Sequence, residues 1–568
     1  MWIGNMSRNS RLFRHFSYVK WHRNLSSNVR KVDEFTVASS LPFQPVPRMR
    51  LFDRMWVHAS QFKDQVALVS AETKKSYTYS QLHRFIANFG TSLLKRLHLR
   101  PGDIVAIAVP NCPEYPVAAF GALQAGCVVT TVNPAYRNYE LVHQFTITKP
   151  NLVVTITQAY PFISKALDAA KIDAKVVIID NSTQSIPDGT IRYSEIAESG
   201  EADYSVLDKI EKDHDDVALI PFSSGTTGLP KGVEITYKNL ISSFDIMTHK
   251  EFVLPEIANG TDQEIVPCVL PFFHIYGLVI TLMGHLSVGA KLITMSSFDP
   301  ATYITVLTHK KATLLYVVPP LVDFLAKYPL VSKSHFEHVK YIFSGGAALS
   351  GGSAEAVLQK ANEKTQFRQG YATTETTCMG TATPKNGGRH YNNSCGDPAL
   401  NIELRMCDAE TGMPVPIGQV GEVCFRSPII AKGYYQNEQA TKDSMTSDGF
   451  YKTGDLGVYK PGEGLYIVDR IKEIIKVKGM QVSPAELENI LRTHPLVHDV
   501  GVIGVPDKLL GEVPKAYVVV RKPTTAEELK KFVADQVVAY KKIKDVVFVD
   551  VIPKNATGKV LRKDLKNL

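Results

Sequence analysis

From about residue 35 to residue 466 the chain alternates short, unbroken apolar runs with longer segments of helical periodicity. Runs at 104–109, 152–156, 175–179 and 314–318 are rich in Val, Ile and Leu and apolar on both alternating faces, the pattern of strands covered on both sides in a parallel sheet. Between such runs, 79–97 and 353–360 carry the spacing of amphipathic helices. This predicts an α/β fold: a large N-terminal domain, residues 35–468, with parallel-type sheets flanked by helices. Near Asp469 the pattern shortens and charge rises. A charge-rich segment at 473–482, a helix at 484–493, strands at 497–505 and 516–520, a helix at 526–538 and a last run at 545–551 predict a small α+β domain over 469–568. Two stretches, 115–136 and 266–290, carry no formal charge and exceed a bilayer span in length. Both contain Pro and Gly, and the second also holds His274 and His285, so they read as buried helix–turn–strand segments.

Charge changes the picture at one end. The 568 residues have a formal charge of +8, and Arg8, Arg11, Arg14, Lys20, Arg23, Arg30 and Lys31 precede the first acid, Asp33. The remainder is therefore close to neutral, which argues against nucleic acid as a partner. Residues 1–34 are basic, Ser/Asn-rich and free of acids until Asp33, with interleaved apolar residues, the composition of a mitochondrial transit peptide; a disordered basic tail is the plainer alternative. The ending Lys566-Asn567-Leu568 loosely resembles a peroxisomal signal. A mitochondrial matrix address is the expectation and a peroxisomal one the alternative. Seven scattered cysteines without a CxxC pair suit free thiols rather than a zinc site or a disulfide framework.

The densest chemistry lies in Ser223-Ser224-Gly225-Thr226-Thr227-Gly228-Leu229-Pro230-Lys231-Gly232. Glycines let backbone N–H groups approach phosphate oxygens, and the hydroxyls and Lys231 add donors and charge. Pro230 stands where the GxxxxGK phosphate loop requires glycine, so the loop is of another type. A Gly/Ser linker is the bland alternative.

The loop resembles the phosphate-binding signature of the adenylate-forming superfamily, which includes acyl-CoA synthetases, 4-coumarate–CoA ligases, beetle luciferases and peptide-synthetase adenylation domains. Further segments match in order over nearly the whole chain: Phe273-His274-Ile275-Tyr276-Gly277, Ser344-Gly345-Gly346-Ala347, Gln369-Gly370-Tyr371-Ala372-Thr373-Thr374-Glu375, Tyr451-Lys452-Thr453-Gly454-Asp455, Asp469-Arg470-Ile471-Lys472-Glu473, the segment from Lys476 to Pro484, and Pro553 to Lys559. Taken singly each has a dull reading: a core histidine, a solvated carboxylate, an exposed lysine. Order and spacing together reverse it.

The resemblance implies an ATP-dependent acyl-CoA ligase: acid and ATP give acyl-AMP and pyrophosphate, and CoA then takes the acyl group. Ser223, Ser224, Gly225, Thr226, Thr227, Gly228 and Lys231 would hold phosphates, and Gly346, Ala347, Tyr371, Thr374, Asp455 and Arg470 the rest of the nucleotide. Glu375 would hold Mg²⁺. His274 would lie beside the substrate carboxylate and Lys559 would drive adenylation. Lys472 would be the hinge of a mobile small domain, whose rotation would bring Lys476 and Gln481 in for thioester formation, with Lys478 and Gly479 lining the CoA passage. Tyr276, Val318, Gly345, Ala372 and Thr373 would line an apolar acyl pocket, which suits a fatty or aryl acid. Ala372 replaces a family glycine and would narrow one wall. A luciferase-like oxygenase and a non-catalytic lipid-binding protein on the same fold are the alternatives; no transmembrane segment is expected, and peripheral membrane contact is left open.

Overall fold

The computed structural model describes residues 29–180, 185–223, 230–252, 255–260, 262–347, 349, 351–384, 393–477, 480–507, 510–555 and 558–568. The apolar runs become strands. Ile104–Ala108 lies between Val128–Thr131 and Leu152–Ile156, parallel to both, and Lys175–Ile179 extends the sheet. At its other end Val217–Leu219 leads to Lys231–Thr236 and Phe222–Ser223, so the sheet edge carries the two sides of the phosphate-loop segment. A second sheet runs Leu314–Val317, Tyr341–Ser344 and Gln366–Tyr371 in parallel, then two short antiparallel strands. A third joins Ile265–Cys268, Lys291–Thr294 and Val66–Ser70 in parallel. An antiparallel sheet of six strands ends in the pair Tyr451–Lys460 and Gly464–Arg470.

Local chemistry explains the element ends. The helix Tyr79–Lys95 starts at Thr78, whose hydroxyl accepts from Gln81 N while the Gln81 side chain accepts from Thr78 N, a reciprocal cap. It stops short of the predicted residue 97 because Leu97 N turns back to Ser92 O and His98 takes a φ of 58°. The uncharged stretch around residue 276 is a buried π-helix, Tyr276–Met283, not a membrane span. Among the described residues no helix is long and apolar enough to cross a membrane.

The main hydrophobic core of the large unit runs from Val37 to Leu465, with smaller clusters beside it, and the main core of the small unit begins at Ile475. The second belongs to a five-stranded sheet in which Val497–Asp507 and Gly511–Val520 form a long hairpin, with Asp545–Phe548 parallel to its second strand. Both hairpin strands run beyond the predicted 497–505 and 516–520, because pairing across the turn, invisible locally, carries them through Pro506 and Pro514. The helix Ala526–Ala534 ends before the predicted 538: Val537 and Val538 are β-branched, and Val538 is extended.

Candidate active site

A cavity of about 1550 Å³ opens between the two units, with walls from both. On the large unit, Ser223 and Lys231 face each other as a strand pair at the base of the phosphate-loop segment. Both line the cavity, and the Ser223 hydroxyl is buried without a partner among the described residues. Ser224, Gly225, Thr226, Thr227 and Gly228 lie outside the described residues. The Lys231 ammonium stands 4.7 Å from the Tyr434 ring centroid, and the Tyr434 hydroxyl donates to Glu375 Oε1 at 2.9 Å. Tyr434 thus bridges the loop lysine and the one carboxylate of the Thr373–Glu375 segment. Local patterning carries no sign of it, because the short strand Gly433–Tyr434 reaches this place by pairing with Val233–Glu234, some 200 residues earlier.

At the other end, His274 and Tyr276 line the cavity with Gly345, Ala372 and Thr373. Enclosure without a charged partner pushes His274 down to about 4, and its Nδ1 accepts from Tyr276 N at 3.3 Å, which leaves a proton on Nε2 of the neutral ring. Tyr276 is buried and donates its hydroxyl to Phe343 O at 3.1 Å, so its ring, not its oxygen, is offered to the cavity. A Cβ at Gly277 would sit 2.0 Å from Pro271 O, which is why a side chain is excluded where the chain enters the π-helix. Val318 does not line the cavity; Pro319 and Pro320 do. Its Cγ1 lies behind the wall, 3.5 Å from where a Cβ on Gly346 would project.

The nucleotide-side residues meet where the domains join. Asp455 and Arg470 pair across adjacent strands; Arg470 Nε reaches Asp455 Oδ1 at 3.2 Å, and the Tyr371 hydroxyl donates to Asp455 Oδ2. Burial pushes the Asp455 carboxyl up, while Arg470, Tyr371 and Lys559 pull it back. Lys559 itself is brought down to about 8, first by desolvation and then by the Arg470 charge, with Glu473 and Asp455 opposing. Arg562 holds Glu473 and, at 2.7 Å, Glu488, which ties the Lys559 segment to the domain junction. The Lys559 turn is closed by Asn555 N to Lys559 O at 2.9 Å. Gly558, at φ 78°, lies so close to Pro320 that a Cβ would stand 2.4 Å from its Cγ, so the turn rests directly on the large unit. Gly346, Ala347, Thr374 and Lys472 complete the lining from the predicted set.

Besides Val318, Lys476 is placed elsewhere. Lys476 and Gln481 oppose each other in register in the hairpin Ile475–Val477 and Met480–Val482, and Lys476 does not line the cavity. Lys476 is exposed, its backbone N bonded to Glu512 Oε2 at 2.8 Å. Lys478 and Gly479 lie outside the described residues. Sequence reasoning missed Tyr434 and Arg562. Among the described residues no group of three or more His, Cys, Asp or Glu could hold a metal ion.

A small domain facing a cavity at strand ends, with lysines from both sides and Arg470 and Tyr371 holding the buried Asp455, suits an enzyme that handles an anionic nucleotide and an apolar co-substrate. The AMP-binding enzyme family matches residues 55–435 and the AMP-binding enzyme C-terminal domain matches 486–559. Over 547 residues, 96% of this chain and 99% of the relative, it is 36% identical to a 4-coumarate–CoA ligase of Pinus taeda; 4-coumarate–CoA ligase 2 of Petroselinum crispum is also 36% identical, over 94% of the chain and 97% of its own length. The fold superposes on ATP-bound MatB from Rhodopseudomonas palustris with a TM-score of 0.81 at 26% identity, covering 91% of this chain and 99% of that one. The chain belongs to the AMP-binding, adenylate-forming enzyme family, and it is an AMP-forming acid–thiol ligase that uses ATP and CoA.

Proposed function

We propose that the acid is an aryl carboxylic acid of the arylpropenoic type, activated as its adenylate and transferred to CoA. The observation that carries this is that Tyr276, Gly345 and Ala372 all line the cavity, the Tyr276 ring lying 3.5 Å from where a Cβ on Gly345 would project, with His274 in the same lining. The relatives named for 4-coumarate support the same class. Two anions must be joined, so alignment and charge neutralisation dominate. Lys231 and the loop residues Ser223 to Gly228 hold the β- and γ-phosphates; Gly346, Ala347, Tyr371 and Thr374 position adenine and phosphate; Asp455 takes the ribose hydroxyls, with Arg470 beside it. The substrate carboxylate oxygen attacks the α-phosphorus in line, the bond to pyrophosphate breaks, and Lys559 spans carboxylate and α-phosphate. The oxygen donors Glu375 and Thr374 fit Mg²⁺, which takes few protein carboxylates when phosphates complete its shell, and it would supply charge neutralisation on the leaving pyrophosphate. Rotation about Lys472 then exchanges the Lys559 turn for the Lys476–Gln481 hairpin, with Lys478 and Gly479 along the CoA path. Residues 1–34 would address the chain to the mitochondrial matrix.

Pyrophosphate release by the protein across cinnamic, benzoic and saturated fatty acids of graded length tests the reading. Highest kcat/KM on an arylpropenoic acid is expected; preference for a long saturated acid would overturn the aryl assignment. Fluorescent tags at either end, imaged in cells, test the address.

A further inference from the structure

We infer that His143 is a positioning residue of the ATP site, fastening both sides of the phosphate loop from the helix Asn138–Thr148; this rests on the ATP-site reading above. Its Nε2 lies 2.8 Å from the carbonyl oxygen of Pro230. A carbonyl only accepts, so Nε2 carries the proton. The same ring stands edge-on to Phe222, centroids 6.4 Å apart at 84°. Phe222 precedes Ser223 and Pro230 precedes Lys231, so one side chain grips the chain just before and just after the loop, at the Ser223–Lys231 pair.

A clamp works only if it is itself fixed. Residue 144, next to His143, is buried, and its Nε2 donates to Thr130 Oγ1 at 3.1 Å and to Thr131 O at 2.9 Å, which pins the helix to the central parallel sheet. Its Oε1 has no partner among the described residues and the side chain lines the cavity. The helix therefore joins the sheet, through residue 144, to Phe222 and Pro230, through His143, and so fixes the two chain positions between which the phosphate-binding residues are strung. A loop held in its binding shape loses less conformational entropy when the triphosphate arrives. His143 touches neither acid nor adenine, so its effect should be confined to ligands that carry the β- and γ-phosphates.

Binding of a non-hydrolysable ATP analogue and of AMP to the full chain, measured by calorimetry, tests this for His143→Ala, His143→Gln and His143→Phe. Loss of one net hydrogen bond and the ring contact predicts roughly five- to tenfold weaker binding of the triphosphate by His143→Ala. AMP binding and thioester formation from supplied acyl-AMP should stay within about twofold of wild type. His143→Gln, whose amide N–H reaches the same carbonyl, should recover most of the loss. Equal weakening of AMP and triphosphate, or no weakening of either, would overturn the inference, as would recovery by His143→Phe but not by His143→Gln. Should the alanine variant fail to fold, the Gln and Phe variants carry the same decision. A wild-type protein that binds the analogue yet releases no pyrophosphate with any acid would defeat the proposed reaction and leave the clamp standing.

Discussion

The small domain carries two lysine-bearing segments that pack into different hydrophobic clusters and present their lysines differently. The Lys559 turn rests on Pro320 through Gly558 and sends its ammonium toward Asp455 and Glu473. On the Ile475–Val477 hairpin arm the flanking Ile475 and Val477 are buried and Lys476 between them is exposed. In this arrangement Lys559 lines the cavity and Lys476 does not; under the proposed mechanism it is the arrangement for joining acid to ATP, and the Lys476 hairpin would enter after a rotation.

The largest effect that could break this comparison is Lys559→Ala. Removing a charge aimed at the reacting centre should slow acyl-AMP formation on the order of 10²–10³-fold, while thioester formation from supplied acyl-AMP stays nearly unchanged in single-turnover assays. Equal loss in both halves would mean the two segments do not alternate. Gly558→Val comes next. It places a β-branched side chain at a left-handed φ and against Pro320, and displacing Lys559 by about 1 Å should cost adenylation up to roughly 10²-fold with the second half-reaction spared. Lys476→Ala is the mirror experiment: roughly tenfold slower thioester formation is expected, with adenylation intact, since a charged donor is lost only in the rotated state. A fall in adenylation instead would place the hairpin in the first step.

The pH dependence sharpens the contrast more gently. Lys559 carries its charge below its pKa of about 8 and loses it above, so adenylation should decline as pH rises through about 8, measured as acyl-AMP formation, whereas transfer from supplied acyl-AMP should not share that limb. A smaller effect distinguishes the large unit by stability. His83, His274 and His285 all sit in it, and burial brings each down to about 4 from 6.5. Between those values the unfolded chain binds protons that the folded chain refuses. The stability they contribute is full above pH 6.5 and is lost as pH falls toward 4, a decline that thermal melts at stepped pH would show.

Much of this was legible in the residues, and the exceptions share a cause. The unbroken apolar runs at 104–108 and 152–156 announced parallel strands because burial on both faces leaves a local mark. The segment Ser223 to Lys231 reads as a phosphate loop because glycine and hydroxyl chemistry is local too, and the proposed reaction rests on that reading. Val318 was misplaced because which of three consecutive residues faces a cavity depends on how the helix Pro319–Lys327 turns away. Tyr434 and His143 were invisible because each acts on residues far along the chain, through pairings that no local period encodes.

By itself, then, the order of residues determined the strand and helix alternation, the two-domain division in outline, and the reactive groups of an acid–thiol ligase. Only the tertiary structure decided that Lys559 and not Lys476 lines the cavity with Asp455 and Arg470, and that Tyr276 offers a ring rather than a hydroxyl. Secondary structure follows from contacts between near neighbours, whereas a site is assembled from contacts between segments hundreds of residues apart, and those are chosen by packing.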